Sequence, residues 1–453
     1  MLVTSFRMAK TWEEAKVRMM VDLKSALTDS FVANPVKRIA VPFEPQNLLR
    51  WLSSQTMFPK IYWSDEENAL TVAGIGAADT KECSYNQLAH EVFKPLSRIQ
   101  SRDIFYYGGM CFDPKNIRDE WSGFGESRFV LPMYEIVKKN KDYYFCCNIT
   151  SHNAQKAFEG LSNIQAPAQQ SFHLPALNHR LDSPDQTNWG KSLEELLAAI
   201  NGGSLKKLVL ARKIAFTFRD TLNACDLLAE LEQLSPASSR FLFQFSKEQA
   251  FFGASPERLY HREGRRIKSD ALAGTRHRGQ TQTEDEFLKN ELMASSKDRR
   301  EHDYVVAEIT RKLKGLCDSL QLDEAIKILT LNHSHHLYQG IEGELKDNVT
   351  DVDILAGLHP TPAVGGVPTE EALQWIRKLE PFSRGWFAGP VGCIGKDKVD
   401  FIVAIRSALI LNNTIHVYAG AGIVPGSEAK AEWQEIDYKI QNLLKVLKIG
   451  VQS

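Results

Sequence analysis

The chain contains 453 residues, of which 43% are hydrophobic and 25% are charged. These proportions are typical of a folded, soluble protein and exclude a chain that is disordered throughout. The formal net charge is -1, with 55 Lys and Arg against 56 Asp and Glu. We therefore expect no nucleic-acid partner and no polybasic attachment to a membrane, whereas a site for a small anion needs only a few local cations.

The cysteines and the N-terminus indicate the compartment. The seven cysteines are scattered and include no Cys-x-x-Cys pair, which argues against a zinc knuckle or a thioredoxin-like motif. The first residues mix acids and bases, unlike a signal peptide, and no segment reaches the ~18 apolar residues of a membrane helix. We predict a cytoplasmic protein with reduced thiols and without a membrane segment.

The N-terminal part of the chain carries weak patterns. Residues from about Thr11 to Ser30 have the spacing of an amphipathic helix. Leu70–Gly76 and Asp142–Thr150 alternate like strands. The polar stretch Gln165–Asn188 contains Pro and Ser, and we interpret it as a linker.

The patterns are stronger after this linker. The predicted strands are Lys206–Phe218, Arg240–Ser246, Ala250–Ser255, Asp400–Leu411 and Thr414–Val424, and the predicted helices are Ser192–Asn201, Glu284–Cys317 and Ala429–Leu447. Asn412-Asn413 tolerates the positive φ of a tight turn and joins the last two strands as a hairpin. Strand pairs with short turns, followed by long helices, indicate an α+β fold with antiparallel sheet.

Two pairs of acids occupy the predicted long helices. Asp298 and Glu301 are separated by three residues and share one helix face, and so do Glu432 and Glu435. Carboxylates without nearby Cys or His ligands suit a hard cation, Mg²⁺ before Zn²⁺. The alternative is a solvated helix end with salt bridges, and spacing alone favours this alternative.

Three further residues are candidates for chemistry. Lys207 lies on a predicted strand and could serve as a base, although the residues alone favour an ordinary edge-strand lysine. Glu257 in GASPERL follows a strand end, and its alternative partner is Arg258. Arg406 lies inside an apolar strand and needs an anion, either a ligand carboxylate or an internal acid.

Glycine-rich and histidine-rich segments add little on their own. The segment AGAGIVPG has Pro425 where a dinucleotide-binding loop needs its third glycine. HPTPAVGG reads as a rigid structural loop. HSHH reads as an ordinary loop or as the source of one substrate-contacting histidine, because three adjacent histidines cannot all face one ion from a strand.

Taken together, these segments resemble the chorismate-utilising enzyme family. The matching stretches are, in order, KKLVLAR, GASPERL, ALAGTR, KDRREHD, HPTPAVGG, FIVAIRSA, YAGAGIVPGS and EWQEID, and they extend from about Lys206 to Lys439. Within the family, RWLSSQTMFPKIYW and EWQEID resemble the isochorismate synthases of the menaquinone pathway.

The resemblance implies a role for each matching residue. Lys207 matches the base that activates water, and Glu257 matches the acid that protonates the departing C4 hydroxyl. The implied Mg²⁺ ligands are Glu301 and Glu435 directly and Asp298 and Glu432 through water; the family often has Glu at the place of Asp298. Substrate-binding positions are matched by Gly274, Thr275, His336, Arg406, Gly420 and Lys439.

The implied reaction is an Mg²⁺-dependent isomerisation of chorismate to isochorismate. Relatives that add ammonia carry Gln at the position of Lys207, and those that make aminodeoxychorismate carry Lys at that of Ala273. The resemblance therefore implies no glutaminase subunit, and a monomer or homodimer. The alternatives are a salicylate synthase, a siderophore-pathway isochorismate synthase and an inactive chorismate-binding sensor.

The implied fold is a single large α+β unit like that of anthranilate synthase component I. Its antiparallel sheets pack face to face with helices outside. Residues 1–185 are expected to form an N-terminal α+β part that completes this fold, and residues 186–453 are expected to form the chorismate-binding catalytic region.

Overall fold

The coordinates are those of a computed structural model. It describes residues 2–3, 8–26, 35–44, 46–168 and 172–449.

Helices surround the sheet of the described chain. They are α1 (Trp12–Ala26), α2 (Leu48–Ser54), α3 (Lys94–Leu96), α4 (Ala154–Gly160), α5 (Gln186–Asn201), α6 (Ala224–Leu234), α7 (Gln282–Ala294), α8 (Ser296–Leu316), α9 (Asp351–Leu358), α10 (Thr369–Leu379), α11 (Ala429–Lys439) and α12 (Gln441–Val446). No helix among the described residues is long and apolar enough to cross a membrane.

The strands follow the chain from end to end. They are β1 (Leu2–Val3), β2 (Val36–Phe43), β3 (Lys60–Ser64), β4 (Leu70–Glu82), β5 (Phe105–Met110), β6 (Ser127–Lys139), β7 (Asp142–Thr150), β8 (Leu177–Ser183), β9 (Lys207–Phe218), β10 (Ser239–Gln244), β11 (Gln249–Ser255), β12 (Arg258–Glu263), β13 (Arg266–His277), β14 (Cys317–Leu322), β15 (Lys327–Thr330), β16 (Ser334–Leu345), β17 (Gly366–Val367), β18 (Pro390–Gly395), β19 (Lys398–Val403), β20 (Ser407–Leu411) and β21 (Thr414–Ile423).

The long strand β6 divides the sheet into arms. One side of β6 pairs with β4 and leads through β3, β10, β11, β20 and β21 to β9, which we call the β9 arm. The other side pairs at one end with β5 and leads through β18, β19, β12 and β13 to β16, the β16 arm. At its other end β6 pairs with β7, which continues to β2. The predicted α+β fold with antiparallel sheet is confirmed.

The chain crosses between the two arms at two places that lie side by side. Residues 255–258 connect β11 to β12, and residues 403–407 connect β19 to β20; we call these two crossings the seam. The amide of Val403 donates to the carbonyl of Glu257 at 3.0 Å, and the Ser255 hydroxyl donates to the carbonyl of Val403 at 2.6 Å. Backbone hydrogen bonds therefore hold Glu257 and Arg406 in neighbouring segments.

The structure corrects four predicted elements. The predicted strand Asp400–Leu411 is interrupted between β19 and β20 because its two halves belong to different arms. The predicted helix Glu284–Cys317 ends at Ala294 and restarts as α8, where the Ser295 hydroxyl accepts from the amide of Asp298. The predicted helix Ala429–Leu447 is likewise divided between α11 and α12.

The predicted linker Gln165–Asn188 is the fourth correction. Its residues 177–183 form β8, which pairs with β9, and α5 begins within it at Gln186. The predicted N-terminal helix is confirmed from Trp12 to Ala26, and its predicted remainder lies outside the described residues.

A buried ion pair between Glu380 and Arg384 connects β9 to a neighbouring loop. Glu380 accepts hydrogen bonds from the guanidinium of Arg384 and from the amide of Ala211 at 2.8 Å. Arg384 also donates to the carbonyls of Val209 and Val364 at 2.8 and 2.7 Å. Both charged side chains are at most 3% exposed. The pair thus joins β9 to the Pro- and Gly-rich loop before β17.

We expect Glu380→Gln to lower the free energy of unfolding by about 3–5 kcal/mol, because it leaves the buried Arg384 charge uncompensated. Denaturant unfolding of purified protein measures this loss. Glu195→Gln is the matched control, since Glu195 pairs with Lys378 at the surface and both are about half exposed. Its loss should be about 1 kcal/mol or less. Equal losses in the two variants would contradict the assignment.

Candidate functional site

A pocket opens at the seam between the two arms. Its wall includes five of the residues predicted to act on substrate, namely Glu257, His336, Arg406, Gly420 and Lys439. Glu257 and Arg406 come from the crossings, Gly420 from β21 of the β9 arm, and His336 from β16 of the β16 arm. The topology therefore brings together residues that are separated by up to 182 positions in sequence, from Glu257 to Lys439.

Glu257 is a buried acid that forms no salt bridge within the described part of the chain. Its side chain is not paired with Arg258, which instead faces Glu66 and Asp270, so the alternative based on Arg258 is wrong. Burial raises the pKa of Glu257 to about 8, against the lowering effect of the Lys207 and Lys439 charges. The carboxyl is thus protonated at neutral pH and can donate a proton.

Arg406 lies in the seam with a left-handed backbone, at a φ of 51°. A non-glycine residue adopts this conformation only when its surroundings enforce it. Its guanidinium donates to the Ser334 hydroxyl at 3.1 Å and to Nε2 of His336 at 2.7 Å. No acidic side chain among the described residues forms a salt bridge with Arg406, so the internal-acid alternative is not supported. Burial lowers its pKa to about 10.

His336 orients Arg406. Its Nδ1 lies 3.2 Å from the carbonyl of Gly274 and 3.3 Å from the hydroxyl of Thr275, and its Nε2 faces the guanidinium. Burial and the Arg406 charge hold the pKa of His336 well below its usual value, so the ring is neutral. Nδ1–H then donates to Gly274 and Nε2 accepts from Arg406. Of the two predicted alternatives for HSHH, the ordinary loop is wrong for His336, which lies on β16.

Lys207 occupies the first position of β9 and is not among the residues that line the seam pocket. Its side chain is fully buried and its Nζ lies 3.1 Å from Oε1 of Glu301, so the edge-strand alternative is wrong. The Coulombic effects of Lys207 and Lys439 lower the pKa of Glu301 despite its burial, which acts in the opposite direction. Gly422 makes room for this contact, because a Cβ there would lie 2.1 Å from Oε1 of Glu301.

Each of the four predicted metal-binding acids lies beside a basic side chain. We call these four acids the carboxylate cluster. Asp298 and Glu301 lie on α8, and Glu432 and Glu435 on α11. Each acid has its own cation: Asp298 lies 2.9 Å from Nη2 of Arg276, Glu301 faces Lys207, Glu432 bonds Lys297 at 2.6 Å and Glu435 bonds Lys439 at 2.7 Å.

The donor chemistry of the carboxylate cluster fits a hard divalent cation, since it offers only carboxylate oxygens. Among the described residues, however, no three His, Cys, Asp or Glu side chains lie in a metal-ligand arrangement. The acids are held by ion pairs with Lys and Arg, so the chemistry of the donors fits Mg²⁺ and their present pairing competes with it.

The structure also assigns places to residues that the sequence analysis did not single out. Arg384 and Phe387 line the seam pocket, and Gly422 lies under the contact between Lys207 and Glu301. The place of Gly422 could have been inferred from the sequence. Gly420 and Gly422 are two positions apart on a strand and therefore face the same side. Lys439 was predicted; its Nζ also donates to the carbonyl of Gly420 at 3.0 Å.

Comparisons with known proteins identify the family of this chain. The sequence profile of a family described as chorismate binding enzyme matches residues 24–448, and the chain belongs to this family. Isochorismate synthase MenF of Haemophilus influenzae is 33% identical over 422 residues, which cover 91% of this chain and 92% of that protein. The predicted membership in a family of chorismate-utilising enzymes is confirmed.

Solved structures support the same fold. That of MenF, the menaquinone-specific isochorismate synthase from Escherichia coli, aligns with a TM-score of 0.85 at 30% identity and covers 95% of this chain and 100% of that one. Anthranilate synthase component I from Streptococcus pneumoniae aligns with a TM-score of 0.68 at 19% identity and covers 92% of this chain and 93% of that one. The second likeness concerns the fold alone and confirms the predicted fold type.

We expect Arg406→Met to weaken chorismate binding by about 100-fold, because a charge-assisted bond to a carboxylate is lost. The same change should leave the free energy of unfolding unchanged or higher, since no buried acid loses its partner. Calorimetric titration and denaturant unfolding measure the two effects. A large loss of stability together with unchanged affinity would show that Arg406 is a structural residue.

Proposed function

We propose that this protein is an isochorismate synthase, which converts chorismate to isochorismate for menaquinone biosynthesis. The observation that carries the proposal is Arg406, a half-buried guanidinium in the seam pocket without an acidic partner among the described residues. Such a group favours a ligand that brings its own carboxylate. The likeness to isochorismate synthases of two bacteria supports this choice of reaction.

The reaction exchanges a hydroxyl between two ring carbons. Water adds at C2, the hydroxyl at C4 leaves as water and the ring double bonds shift, so that the product is an isomer of the substrate. The reaction needs a base for the incoming water and an acid for the leaving hydroxyl. The candidate base and acid must therefore face the ring from different directions.

Glu257 is the proposed acid. Its burial keeps the carboxyl protonated at neutral pH, and this proton goes to the departing C4 hydroxyl. Lys207 is the proposed base. Its ammonium must first lose a proton, and the neutral amine then accepts a proton from the water that attacks C2. The two residues belong to different parts of the sheet, Lys207 to β9 and Glu257 to the seam. This separation supports placing the ring between them.

The remaining proposed residues bind the substrate. Arg406 would hold one substrate carboxylate, with His336 fixing the direction of its guanidinium. Lys439 and the backbone of Gly274, Thr275 and Gly420 complete the proposed substrate contacts.

Magnesium is the proposed cofactor. Glu301 and Glu435 would bind it directly, and Asp298 and Glu432 through water. When bound, it would neutralise negative charge and fix the position of the substrate.

The direct test is product identification. Purified protein incubated with chorismate and Mg²⁺ should form isochorismate, and chromatography with mass detection should find neither salicylate nor pyruvate. EDTA should abolish turnover and added Mg²⁺ should restore it. Formation of salicylate with pyruvate would identify a salicylate synthase, and binding of chorismate without turnover would identify a sensor. Either outcome contradicts the proposal.

The pKa of Glu257 predicts a pH dependence. Because the acid must be protonated, kcat/KM should fall as the pH rises through about 8, which is the pKa of Glu257 in the free protein. Glu257→Gln should lower the rate by about 100- to 10,000-fold and remove this alkaline decline. The folded protein binds this proton more tightly than the unfolded chain, so the free energy of unfolding should also decrease with rising pH between the ordinary and the raised pKa.

The pH–rate profile and denaturant unfolding at several pH values provide the measurements. An alkaline decline that persists unchanged in Glu257→Gln would assign the decline to another group. Glu66→Gln is the matched control because Glu66 is a partly buried acid that pairs with Arg258 outside the seam pocket. Its profile should match that of the unmodified protein.

A further inference from the structure

Lys297 is a basic side chain that contacts the carboxylate cluster. The proposed reaction does not use it. It lies in the first turn of α8, directly before Asp298 and one helical turn before Glu301. Its Nζ bonds Oε1 of Glu432 on α11 at 2.6 Å. The ion pair therefore connects the two helices that carry all four proposed metal-binding acids.

The side chain of Lys297 lies beside more than one carboxylate of the cluster. Its partner Glu432 and a second acid, Glu435, line the same cavity as Lys297. Two of the four acids of the carboxylate cluster therefore border the space that holds this cation. An ammonium in this position supplies the positive charge that a divalent metal would otherwise supply.

Lys297 also has a route away from the cluster. It lines a second cavity, together with Arg276, His277, Glu435 and Tyr438. The side chain of Lys297 is 34% exposed, whereas that of Glu432 is 2% exposed. Glu432 lines the same cavity, so the space that Lys297 would leave on moving towards solvent borders this acid.

We propose that Lys297 is a built-in counterion of the empty protein, which neutralises the carboxylate cluster and leaves Glu432 when a divalent cation binds. The inference rests on the proposed metal site, and it concerns the regulation of metal affinity. It gives Glu432 a positively charged partner before the metal arrives. It also predicts that the affinity of the empty protein for metal is held low by this lysine.

The test measures metal affinity without substrate. Mn²⁺ is the probe, because it is a hard cation with carboxylate preference and free Mn²⁺ is counted by electron paramagnetic resonance. We expect Lys297→Met and Lys297→Gln to bind Mn²⁺ on the order of tenfold more tightly than the unmodified protein. Lys297→Arg should retain the low affinity, since it keeps the positive charge. Thermal unfolding of each variant confirms that the protein is folded.

Lys312→Met is the matched control. Lys312 lies on the same helix, pairs with Glu308 and carries the same charge away from the cluster. Its variant should bind Mn²⁺ as the unmodified protein does. Unchanged or weaker affinity in both neutral Lys297 variants, or equal tightening in Lys312→Met, would overturn the inference.

Turnover of chorismate by the unmodified protein tests the proposed function separately. Isochorismate formation together with unchanged Mn²⁺ affinity of the variants overturns only the role of Lys297. Tightening in the Lys297 variants without any turnover supports the counterion and contradicts the proposed reaction.

Discussion

The site depends on the side-by-side passage of two chain segments between the arms of the sheet. At the seam, strand pairing cannot continue in one plane, so backbone groups are satisfied across the crossings, as in the bond from Val403 to Glu257 at 3.0 Å. This arrangement buries a carboxyl group at one crossing and fixes Arg406 in a left-handed conformation at the other. Both residues are held by backbone geometry and not by mutual attraction, which leaves the Glu257 carboxyl and the Arg406 guanidinium available to a ligand.

The balance of charge around the seam has a consequence for ligands. The basic side chains are Lys207, Arg276, Lys297, Arg406 and Lys439, and the acidic ones are Glu257, Asp298, Glu301, Glu432 and Glu435. Glu257 is protonated and the proposed base Lys207 acts as a neutral amine, so the other four cations balance the other four carboxylates. A dicarboxylate and a divalent cation together add no net charge. The proposed substrate and metal are therefore better bound as a pair than either one alone.

The sequence predicted which acids share a helix face better than it predicted which side chains are buried. The acids on α8 and α11 could be paired by helical spacing, because positions three apart share a face whatever the rest of the fold does. Lys207 and Glu257 were assigned by resemblance. Their burial depends on contacts between distant segments, and no local pattern reports it. The break before α8 did have a local signal, since Ser295 precedes Asp298 by three residues, as in a capping box.

Arg406 illustrates the limit of local reasoning. Its apolar neighbours predicted a continuous strand, and the observed interruption arises only because the two halves pair with different arms. The division of the chain into residues 1–185 and 186–453 stays a prediction. The pairing of β3 with β10 shows that segments from both parts form one sheet.

The central claim is that chorismate lies between Lys207 and Glu257 at the seam. The most direct measurement is a crystal structure of Lys207→Ala with chorismate and Mg²⁺, since loss of the base should preserve the substrate. The account predicts a substrate carboxylate on Arg406 and the C4 hydroxyl within about 3 Å of the Glu257 carboxyl. It also predicts that C2 faces the vacated position of the lysine amine. A ring bound outside the seam pocket, or one with C4 turned away from Glu257, would contradict it.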